Sequence, residues 1–347
     1  MHTHHRNGSG RRDFLRAFAA SGVCAVSGAV GSMWGQTAKR GRIDVHHHML
    51  PAFQPNIQNS QWTPETSLAV MDKYGTETSI LSFVVPSEYI YDGSEKARSL
   101  ARKANDYGAK VVSDFPKRFG FFASLPLREV DASLKEIEYA FDTLKSDGIV
   151  LMTNAGDKWR GDPLFAPIFD ELNRRNSAVF THPSTPNCCR NLVAGVPDYV
   201  VEYDFDTTRG ITSLLFNGTL ARCPNIRWIV NHSGAAVPAL AGRIKDRVPG
   251  DKGNFKGHAE GKSDKMPNGA YYELKKLYYE CAHAAYPMPM AALRAFAPPT
   301  QFLFGTDFPV EAYETTVDQL PELALPADVQ HALDRGNAER LWPRFRT

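Results

Sequence analysis

Cysteine is scarce in this chain, charge of one sign is nearly balanced, and long apolar runs are almost missing. The 347 residues hold five cysteines. One of these, Cys24, falls in the leader, and the spacings of Cys188, Cys189, Cys223 and Cys281 fit neither a zinc ribbon nor a dense disulfide framework. The adjacent Cys188 and Cys189 admit a vicinal disulfide or a metal site, and are read as two small apolar residues in a loop. The formal net charge is +2, with no basic stripe, which argues against nucleic acid as a partner. No stretch after the leader approaches the length needed to span a bilayer. A G-x-G-x-x-G opening a strand-turn-helix is also lacking, so a nicotinamide dinucleotide is not expected. These absences leave a small molecule as the ligand.

The first 38 residues read as a targeting segment and are set aside from the fold. Arg11-Arg12-Asp13-Phe14-Leu15-Arg16 is a twin-arginine core, followed by a modestly apolar stretch to about Trp34 and a small-residue cleavage site at Gln36-Thr37-Ala38. Cleavage after Ala38 would leave a formal charge of −1. The expectation is export of a folded protein to the periplasm, with no membrane anchor once the segment is removed.

From Gly41 to the end, apolar runs alternate with helical patterns. The expected strands are Ile43–His46, Ser79–Val84, Phe119–Leu125, Gly148–Thr153, Ala178–His182, Ile226–His232, Leu277–Ala282 and Gln301–Asp307. Between them lie helical stretches such as Ser94–Phe115, Val130–Lys145, Pro163–Asn176 and Ile211–Ala221. Eight strand-then-helix units point to one α/β domain over residues 41–347, a (β/α)8 TIM barrel. The stretch between Asp246 and Asn268 is rich in Gly, Lys and Asp without an apolar period, and reads as a surface excursion.

Chemistry concentrates at the ends of the expected strands. In Asp44-Val45-His46-His47-His48, strand alternation puts His46 and His48 on one face and His47 on the other. His182 closes the fifth run and Asp307 the eighth. All four fall at the C-terminal ends of barrel strands, where such barrels build active sites. Three imidazoles and one carboxylate suit a divalent metal, zinc first, with manganese or iron accommodated. His232, closing the sixth run on the same rim, is the expected acid/base. His283 follows the seventh run within reach of the pocket, whereas His258 and His331 read as surface residues. Trp159, Tyr203, Phe205 and Tyr286 are aromatic residues that suit either the pocket wall or ordinary packing.

Further motifs extend the pattern: Met49-Leu50-Pro51 after the first strand, Thr181-His182-Pro183, Asn231-His232-Ser233-Gly234, Leu303-Phe304-Gly305-Thr306-Asp307-Phe308-Pro309 and the closing Gly336-Asn337-Ala338-Glu339-Arg340-Leu341-Trp342-Pro343. Together they resemble the amidohydrolase-related family from about Gly41 to Pro343, and within it the decarboxylase branch. Gly161-Asp162-Pro163 and Phe205-Asp206-Thr207-Thr208-Arg209 are similar to the 6-methylsalicylate type of that branch. The resemblance implies metal ligation by His46, His48, His182 and Asp307, a catalytic His232, and non-oxidative decarboxylation of a hydroxybenzoate-like or vinylogous carboxylic acid. It also places Arg243 where such decarboxylases use an arginine to reach a neighbouring subunit's substrate, which implies a homodimer. The muconate-semialdehyde type carries a second arginine soon after its opening motif, and Ala52–Trp62 has none; a less highly charged aromatic acid is favoured. The ligand set is equally compatible with hydrolysis of a lactone, ester or amide on the same scaffold.

Overall fold

The structure, a computed structural model, describes residues 41–55, 61–156, 158–248 and 261–346. The expected targeting segment, most of the polar excursion and His258 lie outside the described residues.

Eight parallel strands form one sheet: β1 Arg42–His48, β2 Thr76–Ser82, β3 Phe119–Ser124, β4 Gly148–Met152, β5 Ala178–His182, β6 Arg227–Val230, β7 Tyr278–Glu280 and β8 Phe302–Leu303. Neighbours in sequence are neighbours in space from β1 through β8. The ends meet through single backbone bonds rather than a ladder. Val45 N–H donates to Phe304 O (2.9 Å), Asp307 N–H to His46 O (2.7 Å) and His48 N–H to Phe308 O (2.7 Å). Helices cover the outside, as crossovers between parallel strands require. The expected (β/α)8 barrel is the fold.

Every strand residue from β3 to β5 is buried, as a sheet covered on both faces demands. Inside the barrel, Phe122 of β3 and Phe180 of β5 stack with centroids 5.6 Å apart, and Phe180 meets the His46 ring edge-on at 4.8 Å. These rings floor the site from below. Among the described residues no helix is long and apolar enough to cross a membrane.

Several boundaries differ from the sequence expectation. The expected Ile211–Ala221 helix begins earlier, at Asp198, and runs to Phe216; Gly218, in the left-handed region at φ 80°, separates it from the short helix Thr219–Arg222. The early start matters, because it brings Tyr203 to the cavity wall and Asp204 to His232. Strands β6 and β8 are shorter than expected, so His232 and Asp307 sit past the strand ends on irregular backbone. The described end of the polar excursion is not purely superficial: Met266 is buried and exchanges backbone bonds with Ser263. Cys188 and Cys189, read as a loop pair, are joined as a vicinal disulfide in the turn Asn187–Cys189; Cys223 and Cys281 are free and buried.

Candidate active site

The strand alternation of β1 places the two outer histidines of the triplet together. His46 Nε2 and His48 Nε2 are 3.1 Å apart, and Asp307 Oδ1 lies 3.2 Å from the first and 2.5 Å from the second. His182 completes a group of four buried residues whose ligand atoms all lie within 4.8 Å of one another. The structure therefore brings together His46, His48, His182 and Asp307, as the sequence spacing suggested.

Each imidazole has its other nitrogen occupied, which fixes where its lone pair points. His46 Nδ1–H donates to Glu280 Oε1 at 2.9 Å, and His182 Nδ1–H donates to the Pro183 carbonyl at 2.9 Å. A carboxylate and a carbonyl can only accept, so both rings carry their proton on Nδ1. Ser82 Oγ donates toward His47 O and so accepts from His48 Nδ1 at 2.8 Å. Three Nε2 atoms then converge on one carboxylate oxygen. Three imidazole nitrogens and a carboxylate meeting at one buried point make a donor set that fits a divalent metal.

A proton and a cation would compete for His46 Nε2. Burial opposes charge on His46, yet Asp307 and Glu280 outweigh it and raise its pKa to about 10. Burial holds His48 below its usual value against the pull of Asp307, and burial together with the neighbouring His48 holds His182 lower still. Burial works against ionisation of Asp307, but the His46 and His48 charges keep its pKa well below the carboxylate range. Asp307 and Glu280 thus draw positive charge to this point, whether a proton or a cation supplies it.

His47 faces outward, as alternation requires. Its Nδ1 meets Asp44 Oδ2 at 3.0 Å and its Nε2 meets Ser67 Oγ at 2.8 Å. Asp44 Oδ2 also accepts from Thr306 Oγ1 at 2.7 Å, so this trio ties β1 to the segment after β8.

His232 stands beside the cluster rather than in its four-ligand set. It is 7% exposed, its Nε2 has no hydrogen-bond partner and lies 3.9 Å from Asp307 Oδ2, and its Nδ1 faces Asp204 Oδ1 at 3.5 Å. Burial lowers its basicity, but Asp204 and Asp307 outweigh that and raise the pKa to about 9. A protonated imidazole aimed into the site is what an acid needs. His283 also reaches the rim, with Nε2 2.8 Å from Asp307 Oδ2. Arg243 is exposed on the outer helix Val237–Asp246 and does not line its own chain's cavity.

Two participants were not singled out from sequence. Glu280, fully buried, accepts from His46 Nδ1, from His232 N (2.7 Å) and from Ala282 N (2.7 Å). A lone acid in an otherwise apolar strand was the available signal, since a buried carboxylate needs partners. Gly305 makes room for it: a Cβ there would sit 2.3 Å from Glu280 Oε2 and 2.9 Å from His46 Cβ. Glu280→Gln is expected to weaken metal affinity by about 10–100-fold, read by competition with a chelator, because the ring loses its orienting carboxylate. Unchanged affinity would remove Glu280 from this role. The second is Arg190, at the mouth and paired with Glu88 at 3.1 Å.

Above the cluster opens a cavity of about 260 Å³. His182, Asp307, Tyr203 and Arg190 supply its polar wall, and Leu50, Val84, Met152 and Val310 its apolar one. Of the aromatic residues considered from sequence, only Tyr203 lines it; Phe205 and Tyr286 are exposed, and Trp159 Nε1 donates to Asp206. A volume below the ~300–1,000 Å³ of sites for drug-sized ligands suits a single substituted ring.

The fold and the cluster define a (β/α)8 barrel with a buried metal-binding set at its rim and a buried histidine, His232, beside it. The chain belongs to the Amidohydrolase family, whose model matches residues 43–344. It is 32% identical to decarboxylase macB of Penicillium terrestre over 88% of this chain and 96% of the relative. It is 31% identical to the 6-methylsalicylic acid decarboxylase of Penicillium expansum over 88% of this chain and 97% of the relative. A crystal structure of dihydroxybenzoic acid decarboxylase from Polaromonas sp. JS666, with bound manganese and the inhibitor 2-nitroresorcinol, superposes with a TM-score of 0.75 at 20% identity, covering 89% and 98% of the two chains.

Proposed function

We propose that the protein is a metal-dependent, non-oxidative decarboxylase of a hydroxybenzoate-like acid. The observation that carries this reading is full-length similarity to 6-methylsalicylic acid decarboxylase, on a chain that keeps a converging His-His-His-Asp set under a ring-sized cavity. His46, His48, His182 and Asp307 would hold the metal; zinc suits this set, and manganese is the alternative supported by the Polaromonas structure. Bound there, a cation would supply positive charge to neutralise and polarise an anionic aromatic substrate.

The rest of the reaction falls to side chains. The apolar wall of Leu50, Val84 and Met152 packs the ring and excludes water. His232 Nε2–H delivers its proton to the ring carbon that carries the carboxylate. The bond to the carboxyl carbon then breaks, its electron pair returns to the ring, and carbon dioxide leaves. His232 regains a proton from solvent. Carbon dioxide and the matching phenol should appear in equal amounts from 6-methylsalicylate or a related ortho-hydroxybenzoate. Turnover confined to lactones, esters or amides would sink the proposal.

Rate should depend on pH through His232. Its pKa is raised in the folded protein, so the acid form is present at neutral pH and is lost as pH rises through that value. Asp204→Asn removes one of the three carboxylates that raise it, with Asp307 and Glu280 remaining. The alkaline limb of the kcat/KM profile is therefore expected to move to lower pH, and a limb that stays in place would exclude Asp204 from tuning His232.

The proposal includes a homodimer in which Arg243, exposed on its own chain, grips the carboxylate in the neighbouring site; its exposure and bidentate chemistry support this. It also includes export by the twin-arginine route, supported by the Arg11-Arg12 core alone.

A further inference from the structure

We propose that the rim holds a second, inhibitory divalent-cation site made by His232, His283 and the outer oxygen of Asp307, Oδ2. The inhibitory part of this inference rests on the decarboxylase reading; the site itself does not. The three residues offer ligand atoms that all lie within 4.8 Å of one another. Asp307 divides its oxygens: Oδ1 faces His46 and His48, whereas Oδ2 faces His283 Nε2 at 2.8 Å and His232 Nε2 at 3.9 Å. One carboxylate can thus bridge two cations, the arrangement of paired-metal sites about 3.5–4 Å apart.

Two independent features favour a cation over a chance grouping. His232 Nε2 is buried and has no hydrogen-bond partner, so a polar atom aimed into the space is left unsatisfied. Both rings also back onto a carboxylate: His232 Nδ1 faces Asp204 Oδ1 at 3.5 Å, and His283 Nδ1 faces Glu311 Oε2 at 3.8 Å. The carboxylate behind His232 favours the proton on Nδ1 and leaves Nε2 to coordinate, whereas His283 Nε2–H donates to Asp307 Oδ2 and would exchange that proton for the cation, with Glu311 behind the ring to receive charge. His283 is partly exposed, 35% by side chain, which gives the cation a path from solvent.

Occupation has a direct chemical consequence. Coordination takes the Nε2 lone pair of His232 and releases the proton carried there. The imidazole then has nothing to deliver to the substrate, and turnover stops while the first metal stays in place. The second site differs from the first in strength: it has two nitrogens and a shared carboxylate, with one partly exposed ligand, so it fills at higher cation concentration.

The test is equilibrium dialysis of the purified full chain against increasing zinc, with metal content and decarboxylation measured on the same samples. The chain should bind a second equivalent, and turnover should rise with the first and fall at least tenfold with the second. His283→Asn removes one ligand, and Asn tolerates the left-handed backbone of that position, φ 53°. This variant should keep the first equivalent, lose the second, and show no falling phase. Retention of the first equivalent also reports that the variant has folded. Binding that stops at one equivalent, a second equivalent that survives His283→Asn, or turnover that rises with the second equivalent would each overturn the proposal. If no acid is decarboxylated at any zinc level, the functional reading fails, and the dialysis alone still decides whether the site exists.

Discussion

His232→Asn should slow decarboxylation by about 10²–10⁴-fold, the usual contribution of a positioned acid, while leaving the first equivalent of metal bound. The loss should fall on kcat, because the side chain acts on the proton and not among the four converging ligands. Asparagine suits the backbone, since residue 232 sits at φ 53°, where Asn is tolerated far better than most residues. The backbone N–H of residue 232 still donates to Glu280, so the strand end should keep its shape. A variant within tenfold of the parent would mean that another group protonates the ring. Deuterium from solvent should appear at the vacated ring position in the parent enzyme, which ties the lost activity to a proton rather than to packing.

Removal of the metal should abolish turnover by about three orders of magnitude or more, since loss of several kcal/mol of charge stabilisation corresponds to about a tenfold change per 1.36 kcal/mol. A chelator followed by desalting gives the metal-free protein, and one equivalent of zinc or manganese should restore activity. The metal that restores it best identifies the working ion. His46→Ala should mimic the chelated state and resist restoration, because His46 touches His48, Asp307 and Glu280 at once. Full activity after verified metal removal would contradict the metal-dependent reading.

The barrel and most of the cluster were legible in the sequence for physical reasons. Parallel strands buried on both faces appear as short apolar runs, and the alternation along β1 separates His46 and His48 from His47 without any knowledge of the fold. Barrel logic then sends His182 and Asp307 to the same rim. What could not be read depended on contacts between distant segments. Glu280 matters because β7 lies where its carboxylate meets His46, 234 positions earlier in the chain. Asp204 became relevant only because its helix starts at Asp198 rather than near Ile211. The exact seats of His232 and Asp307 were misplaced by a few residues, since both lie on left-handed backbone beyond strands that end early. Such strained positions break the local patterns from which strands are inferred, and they gather at the chemistry.

The barrel closes where β1 meets β8 and the segment after it, and the metal cluster sits on that seam. His48 and Asp307 are 259 positions apart in the chain, yet their side chains share one ligand group. A cation held there acts as a removable cross-link between the first strand and the last. By the chain-entropy model for cross-links, closing a loop of that length restricts the unfolded chain by about 5.6 kcal/mol, to the extent that the cation stays with both ends. The hydrogen bonds of Asp44, His47 and Thr306 hold the seam without it, so the cation reinforces a closure already made. Loading the metal would then do two things at once, arming the site and locking the ring that carries it.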